Sequence, residues 1–181
     1  MKKKVLWLTS TAMMLAVLVA LQWITKPMGQ LVTGSCVNLV LAVTVLVVGL
    51  SGGLAVALVS PVMAYLLGIA PQILVVPAIM VGNAVFVAML HALVSRSEGK
   101  ASVQIVAWVL AAVAKFAALY LIVSQLICGV LAPSLLASGA LKEPMLKALP
   151  ATFSWPQLIT ALIGGGIALA IVPVIRKAVK K

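Results

Sequence analysis

The sequence predicts an all-α integral membrane protein, a six-transmembrane-helix bundle with both termini cytoplasmic. Three observations predict this fold: the chain is 65% hydrophobic, only 8% is charged, and the charges lie almost entirely between six apolar runs. A charge at the centre of a bilayer costs about 2.5–3.5 kcal/mol on insertion scales. Helices of a soluble domain instead need a charged outer face. We therefore expect a single membrane domain that comprises residues 1–181.

Six apolar runs are interpreted as membrane spans, since a spanning helix needs about 20 apolar residues. The approximate spans are residues 5–25, 31–50, 54–67, 72–94, 102–131 and 156–175. The second and third are short, which leaves open a small tilt or a partly re-entrant segment. The first is too long for the apolar region of a signal peptide, about 7–15 residues, so we expect it to be retained.

Charged or flexible segments end each run in turn. In chain order these are Lys26-Pro27, Ser51-Gly52-Gly53, Gly68 with Pro71 beyond it, residues 95–100, the long segment 132–155, and the basic tail 176–181. The segment 132–155 would be the longest outer loop. It is interpreted either as a gate over a binding site or as a plain connector.

The distribution of basic residues predicts the orientation. Thirteen Lys and Arg stand against two acids, Glu98 and Glu143. Nine basic residues would lie inside, namely Lys2, Lys3, Lys4, Arg96, Lys100, Arg176, Lys177, Lys180 and Lys181. Only Lys26, Lys142 and Lys147 would lie outside, which satisfies the positive-inside rule. The net charge of +11 then reflects attraction to anionic lipid headgroups, and no nucleic-acid partner is predicted.

The first span carries three alanines four residues apart, Ala12, Ala16 and Ala20. Residues with this spacing share one helical face, so their small side chains form a smooth strip that lets another helix approach closely. The strip could serve packing within the chain or docking of a partner.

These features resemble the substrate-binding S component of energy-coupling factor (ECF) vitamin transporters. The resemblance rests on the alanine strip, the six short spans, the basic ends and several local strings. The strings are residues 33–38 (TGSCVN), 53–58 (GLAVAL), Gly82-Asn83 and residues 153–157 (FSWPQ).

The resemblance implies a binding subunit of an ABC importer in a prokaryotic plasma membrane. A vitamin or related micronutrient would bind on the outer side. Ala12, Ala16 and Ala20 would dock on a transmembrane coupling subunit, and two cytoplasmic ATPases would supply the energy. No Walker A sequence occurs in the chain, so ATP hydrolysis would come from those partners.

Lys115 is the one charge that the topology does not explain, because it lies near the middle of the fifth span. Ionisable residues within a membrane are functional candidates by default. Lys115 could face a wet outer cavity and bind an anionic or carbonyl-bearing substrate. Alternatively, it could hydrogen-bond backbone carbonyls or Asn83 between helices, either as the ammonium or as the neutral amine. Asn83 itself could be a link between helices or a ligand contact.

Aromatic, amide and hydroxyl side chains converge at the predicted outer ends of several spans. A small-molecule pocket needs such polar groups within apolar walls. We predict that the substrate-binding residues are Asn38, Asn83, Lys115, Trp155 and Gln157. A carboxylate vitamin such as pantothenate would fit, and so would a heterocycle such as a pyrimidine or deazapurine precursor.

Other site types find little support in the sequence. His91 has no second ligand at metal spacing, so it is interpreted as structural, and no metal or cofactor is predicted. Cys36 and Cys128 could pack as small apolar residues or form a disulfide. No catalytic residues are predicted, because the spans hold no carboxylate pair or nucleophile–base set. The alternative functions are a self-sufficient secondary transporter and a structural subunit of a membrane complex.

Overall fold

The computed structural model describes residues 2–69, 72–96 and 100–179, and the regular elements in these ranges are all helical. This confirms the all-α class. The helices are α1 (Lys2–Thr25), α2 (Gln30–Val47), α3 (Leu50–Leu66), α4 (Val76–Val94), α5 (Ala101–Leu119), α6 (Ala132–Ala137), α7 (Glu143–Thr152) and α8 (Trp155–Val179). Helix α5 continues directly into a π-helix, Tyr120–Val130. Two short 3₁₀ turns, Lys26–Met28 and Ile73–Val75, precede α2 and α4.

Five helical segments are long and apolar enough to cross a membrane. They contain α1, α2, α4, α5 with its π-helix, and α8. Helix α3 is apolar but has only 17 residues, which makes it about 25 Å long against an apolar bilayer core of about 30 Å. The predicted break positions Pro71, Glu98, Lys180 and Lys181 lie outside the described residues.

The break between α2 and α3 lies earlier than the sequence suggested. Gly49, with φ of 104°, makes the turn, and Ser51, Gly52 and Gly53 belong to α3. Both of these glycines are buried in the bundle. A Cβ on Gly53 would lie 2.8 Å from Val87 Cγ1, so this glycine serves close packing within the bundle.

Long-range hydrogen bonds define two ends of the bundle. At the distal end, Lys26 donates to Gly68 O at 2.7 Å, and Gln72 donates to Ala140 O at 2.8 Å. At the terminal end, Trp7 near the start of α1 donates to Ser51 Oγ at 3.0 Å. Arg176 near the end of α8 donates to Leu46 O at that same end. The first and last helices therefore start and finish at the terminal end.

The segment 132–155 forms helices α6 and α7 over the distal end. Buried apolar side chains fix them to the bundle, and we call this group the distal cluster. Its members are Val75, Ala78, Leu119, Val123, Leu141, Leu149 and Phe153. The segment is therefore a packed cap.

Two glycines set how closely helices approach each other in the middle of the bundle. A Cβ on Gly164 of α8 would lie 2.6 Å from Leu39 N and 2.8 Å from Asn38 Cβ, both on α2. A Cβ on Gly82 of α4 would lie 2.6 Å from Leu119 Cγ on α5. Such distances are far below normal contact, so only glycine permits these two helix pairs to pack as they do.

We predict that Gly164→Ala destabilises the protein by about 1–3 kcal/mol, because the added methyl group meets the α2 backbone. The unfolding temperature of the purified protein in lipid nanodiscs should fall by several degrees. Gly129→Ala is the matched control, since the nearest atom to its Cβ would be Ser124 O at 3.6 Å. Equal unfolding temperatures for the two variants would show that the close packing of α2 and α8 does not require a glycine at position 164.

Candidate functional site

Lys115 lies on α5 and is the only charged residue among the buried side chains of the described ranges, with 2% of its surface exposed. Its Nζ donates to Asn38 Oδ1 at 2.6 Å and to Asn83 Oδ1 at 2.7 Å. The centroid of the Phe86 ring is 5.7 Å from Nζ, within the range of a cation–π contact. Because a lysine ammonium carries three donors, one N–H is left over after the two amides.

Asn38 holds its amide in a fixed orientation on α2. Its Nδ2 donates to Gly34 O at 2.9 Å and to Thr160 Oγ1 at 3.2 Å, which leaves Oδ1 to accept from Lys115. Thr160 lies on α8, within reach of α2 because Gly164 permits the close approach of these helices. The α2–α8 packing thus positions one of the two oxygen atoms that hold Lys115.

Asn83 uses only one of the two polar atoms of its side chain. Its Oδ1 accepts from Lys115, whereas its buried Nδ2 has no hydrogen-bond partner. The side chain is 1% exposed, so it cannot turn to solvent. An unsatisfied buried donor costs about 1–3 kcal/mol, and an acceptor on a bound ligand would remove that cost.

We call Lys115, Asn38 and Asn83 the lysine–amide cluster. These residues line a cavity of about 170 Å³ at the distal end, which we call the distal cavity. Helices α1, α2, α3, α4, α5 and α8 all contribute to its wall, together with the cap. Its polar lining residues are Gln22, Gln30, Thr33, Asn38, Ser60, Asn83, Lys115, Thr152 and Gln157. Its remaining lining residues are Gly34, Val37, Pro61, Ala64, Ile69, Ile79 and Phe153. By area the lining is nevertheless mostly apolar, and apolar walls with oriented polar groups are typical of a small-molecule site.

Three buried polar atoms in the cavity wall lack a hydrogen-bond partner: Gln22 Oε1 on α1, Ser60 Oγ on α3 and Asn83 Nδ2 on α4. Buried polar groups in native proteins are nearly always paired. Three of the five unpartnered side-chain atoms in the described residues thus lie around one cavity, where a ligand could supply the missing hydrogen bonds.

Four of the five predicted binding residues, Asn38, Asn83, Lys115 and Gln157, line this cavity. Trp155 does not, because it is 65% exposed and stacks on Phe116 with ring centroids 5.4 Å apart. Residues two apart on a helix point about 200° away from each other. Gln157 and Trp155 therefore cannot both face the cavity from α8.

Gln22 and Ser60 were not among the predicted binding residues. Both are polar residues buried in otherwise apolar helices, with 8% and 1% of their surfaces exposed. The signal that could have identified Ser60 is its position beside Pro61 within an apolar run.

The two interpretations of Lys115 are compatible in this geometry. Its bond to Asn83 links α5 to α4, as the structural interpretation expected. Lys115 also lines the distal cavity, as the functional interpretation expected. The same ammonium therefore joins the helices and faces the space in which a ligand would lie.

Ala12, Ala16 and Ala20 lie exposed along α1. They form one wall of a shallow apolar groove between α1 and α3, which we call the alanine groove. Its other lining residues are Leu15, Val19, Trp23, Ile24, Met63 and Leu67. The three alanines are therefore not used for packing inside the described bundle.

Cys36, Cys128 and His91 do not line the distal cavity. Cys36 and Cys128 are both free thiols, so the disulfide alternative is wrong. His91 lines a separate cavity at the terminal end with Gln104 and Arg176. The described residues contain no group of three or more metal-ligating side chains.

No protein-family model, no curated protein and no solved structure matches this chain. What the protein does must therefore be inferred from its own residues: the lysine–amide cluster, the distal cavity and the exposed alanine groove.

Proposed function

We propose that the chain is the substrate-binding membrane subunit of an ECF-type importer. It captures a vitamin or related micronutrient in the distal cavity and delivers it through a transmembrane coupling subunit driven by two ATPases. The observation that carries this proposal is the set of unpartnered polar atoms around one cavity, Gln22 Oε1, Ser60 Oγ and Asn83 Nδ2. Helix packing alone normally leaves such buried polar atoms paired.

The proposed orientation places the distal end outside and both termini in the cytoplasm of a prokaryotic cell. Helix α3 then counts as a sixth, short span beside the five long ones. Nine of the thirteen basic residues belong to the termini or the α4–α5 connection, and three follow α1 or precede α8. This asymmetry supports a cytoplasmic terminal end. The cavity would then face the side from which a nutrient arrives.

Two further observations favour an importer subunit over a self-sufficient carrier. Ion-coupled carriers usually hold acids within their spans, and the two acids of this chain, Glu98 and Glu143, both lie outside its apolar runs. The exposed alanine groove also offers a surface for a partner helix. A subunit that lacks its own energy source needs such a partner.

We predict that purified wild-type protein releases a bound small molecule on denaturation and that Lys115→Met releases about 10- to 100-fold less. The substitution removes a charged donor to the ligand, a contact worth about 1.5–3 kcal/mol. Mass spectrometry of the released fraction, normalised to protein, measures the difference.

Lys142→Met is the control, because Lys142 is exposed and does not line the cavity. Its ligand content should equal that of the wild type. If wild-type protein releases no small molecule, the binding function is wrong and a structural subunit is favoured. If Lys115→Met releases as much as the wild type, Lys115 does not contact the ligand and has a structural role only.

We predict that Ala16→Trp abolishes uptake of the released ligand into cells but leaves its binding unchanged. The indole would fill the alanine groove and block a partner helix, whereas the cavity lies on the other side of α1. Cellular uptake and ligand content of the purified variant are the two measurements.

Val17→Trp is the matched control, since Val17 is 43% exposed on the same helix but does not line the groove. It should preserve both uptake and binding. Loss of binding in Ala16→Trp, or equal uptake by the two variants, would contradict a docking role for the groove.

A further inference from the structure

The charge balance of the distal cavity restricts what it can bind. Lys115 is the only ionisable residue among the described residues that line the cavity, and it carries a formal charge when it is protonated. Two amide oxygens hold the ammonium but do not cancel its charge. A buried charge without a counter-ion is costly, and the cost falls when an opposite charge is bound beside it.

The unpartnered donors in the lysine–amide cluster point to an oxygen acceptor. The ammonium form of Lys115 has one N–H beyond its bonds to Asn38 and Asn83, and Asn83 Nδ2 has no hydrogen-bond partner. The two donors belong to adjacent groups, because Nζ and Asn83 Oδ1 are 2.7 Å apart. A carboxylate has two oxygens and accepts two such bonds at once, with charge assistance from the ammonium.

The cavity volume limits the rest of the ligand. An apolar cavity of about 150 Å³ accommodates one benzene ring, and larger ligands generally occupy roughly 300–1,000 Å³. At about 170 Å³, the distal cavity has room for one ring and a small substituent. Ile79, Pro61 and Phe153 supply apolar walls for such a ring.

From these observations we propose that the cavity selects a small monocarboxylate with a single ring. Its carboxylate would accept from Lys115 Nζ and Asn83 Nδ2, and its ring would lie against the apolar walls. A ring N–H would find unpartnered oxygens at Gln22 Oε1 and Ser60 Oγ. This assignment rests on the proposed function and specifies its substrate class.

Isosteric probe pairs test the assignment. Benzoate and benzamide share their shape but differ in charge, as do pyrrole-2-carboxylate and pyrrole-2-carboxamide. Calorimetric titration of ligand-stripped protein in nanodiscs should show each carboxylate binding at least about tenfold more tightly than its amide. Pyrrole-2-carboxylate should also bind more tightly than benzoate, because only its ring donates a hydrogen bond.

Asn83→Asp tests the proposed contact between the ligand carboxylate and Asn83 directly. It keeps the oxygen that accepts from Lys115, removes the free donor and adds a negative charge beside the ammonium. The preference should reverse, with carboxylate affinity falling by about 100-fold or more and carboxamide affinity changing little. A merely structural role for Asn83 would weaken both probes equally. Ser124→Ala, whose buried hydroxyl does not line the cavity, serves as the control and should keep the wild-type ratio.

The outcomes separate this assignment from the proposed function. The monocarboxylate class is overturned if the carboxamides bind as tightly as the carboxylates, if no probe binds at millimolar concentration, or if Asn83→Asp leaves the ratio unchanged. It is also overturned if the wild-type protein releases a neutral or multi-ring molecule, a result that leaves the binding function intact. The absence of any released molecule would overturn both.

Discussion

The buried ammonium of Lys115 is the constraint on which the middle of the bundle depends. A lone charge in an apolar interior is tolerated only where polar groups surround it, and here two amide oxygens come from different helices. Each amide must then be placed by its own helix pair. Gly164 brings α8 against α2 and so supplies Thr160 to anchor Asn38, while Gly82 brings α5 against α4 and so lets Lys115 reach Asn83. The hydrogen bonds of Lys115 therefore depend on the close helix packing at these two glycines.

Much of this fold could be predicted from the sequence, because a bilayer imposes a simple rule on where charges lie. The helical class, the positions of the long helices and the close packing at Gly82 all follow from apolar runs and small residues. Other features depend on tertiary contacts that leave no local pattern. Helix α3 begins before Ser51-Gly52-Gly53 because the bundle buries these glycines. Helices α6 and α7 form because the distal cluster supports them, and the π-helix Tyr120–Val130 has no sequence signal that we can identify.

Some residues of the candidate site could likewise be predicted from the sequence, and others could not. Asn38, Asn83, Lys115 and Gln157 could be predicted because polar groups in apolar helices need partners, and they do share one cavity. Trp155 could not be separated from Gln157 by composition, because only the rotation of α8 decides which of them faces inward. Ser60 and Gln22 carry weaker signals than Lys115, since a single hydroxyl or amide can often satisfy itself within its own helix. In the structure each keeps an unpartnered oxygen instead.

Helix α1 connects the two surfaces that the proposed function requires. Gln22 on its buried face lines the cavity, whereas Ala20, about 200° away around the helix, lies on the exposed alanine groove. Helix α1 also lies at the periphery, with the smallest buried share among the long helices. A ligand that donates to Gln22 Oε1 would link α1 to the rest of the bundle. Two sites are coupled when a ligand at one changes the equilibrium of an element that forms the other. Because α1 forms part of both surfaces, the proposed ligand capture and the proposed partner docking would be coupled through this one helix.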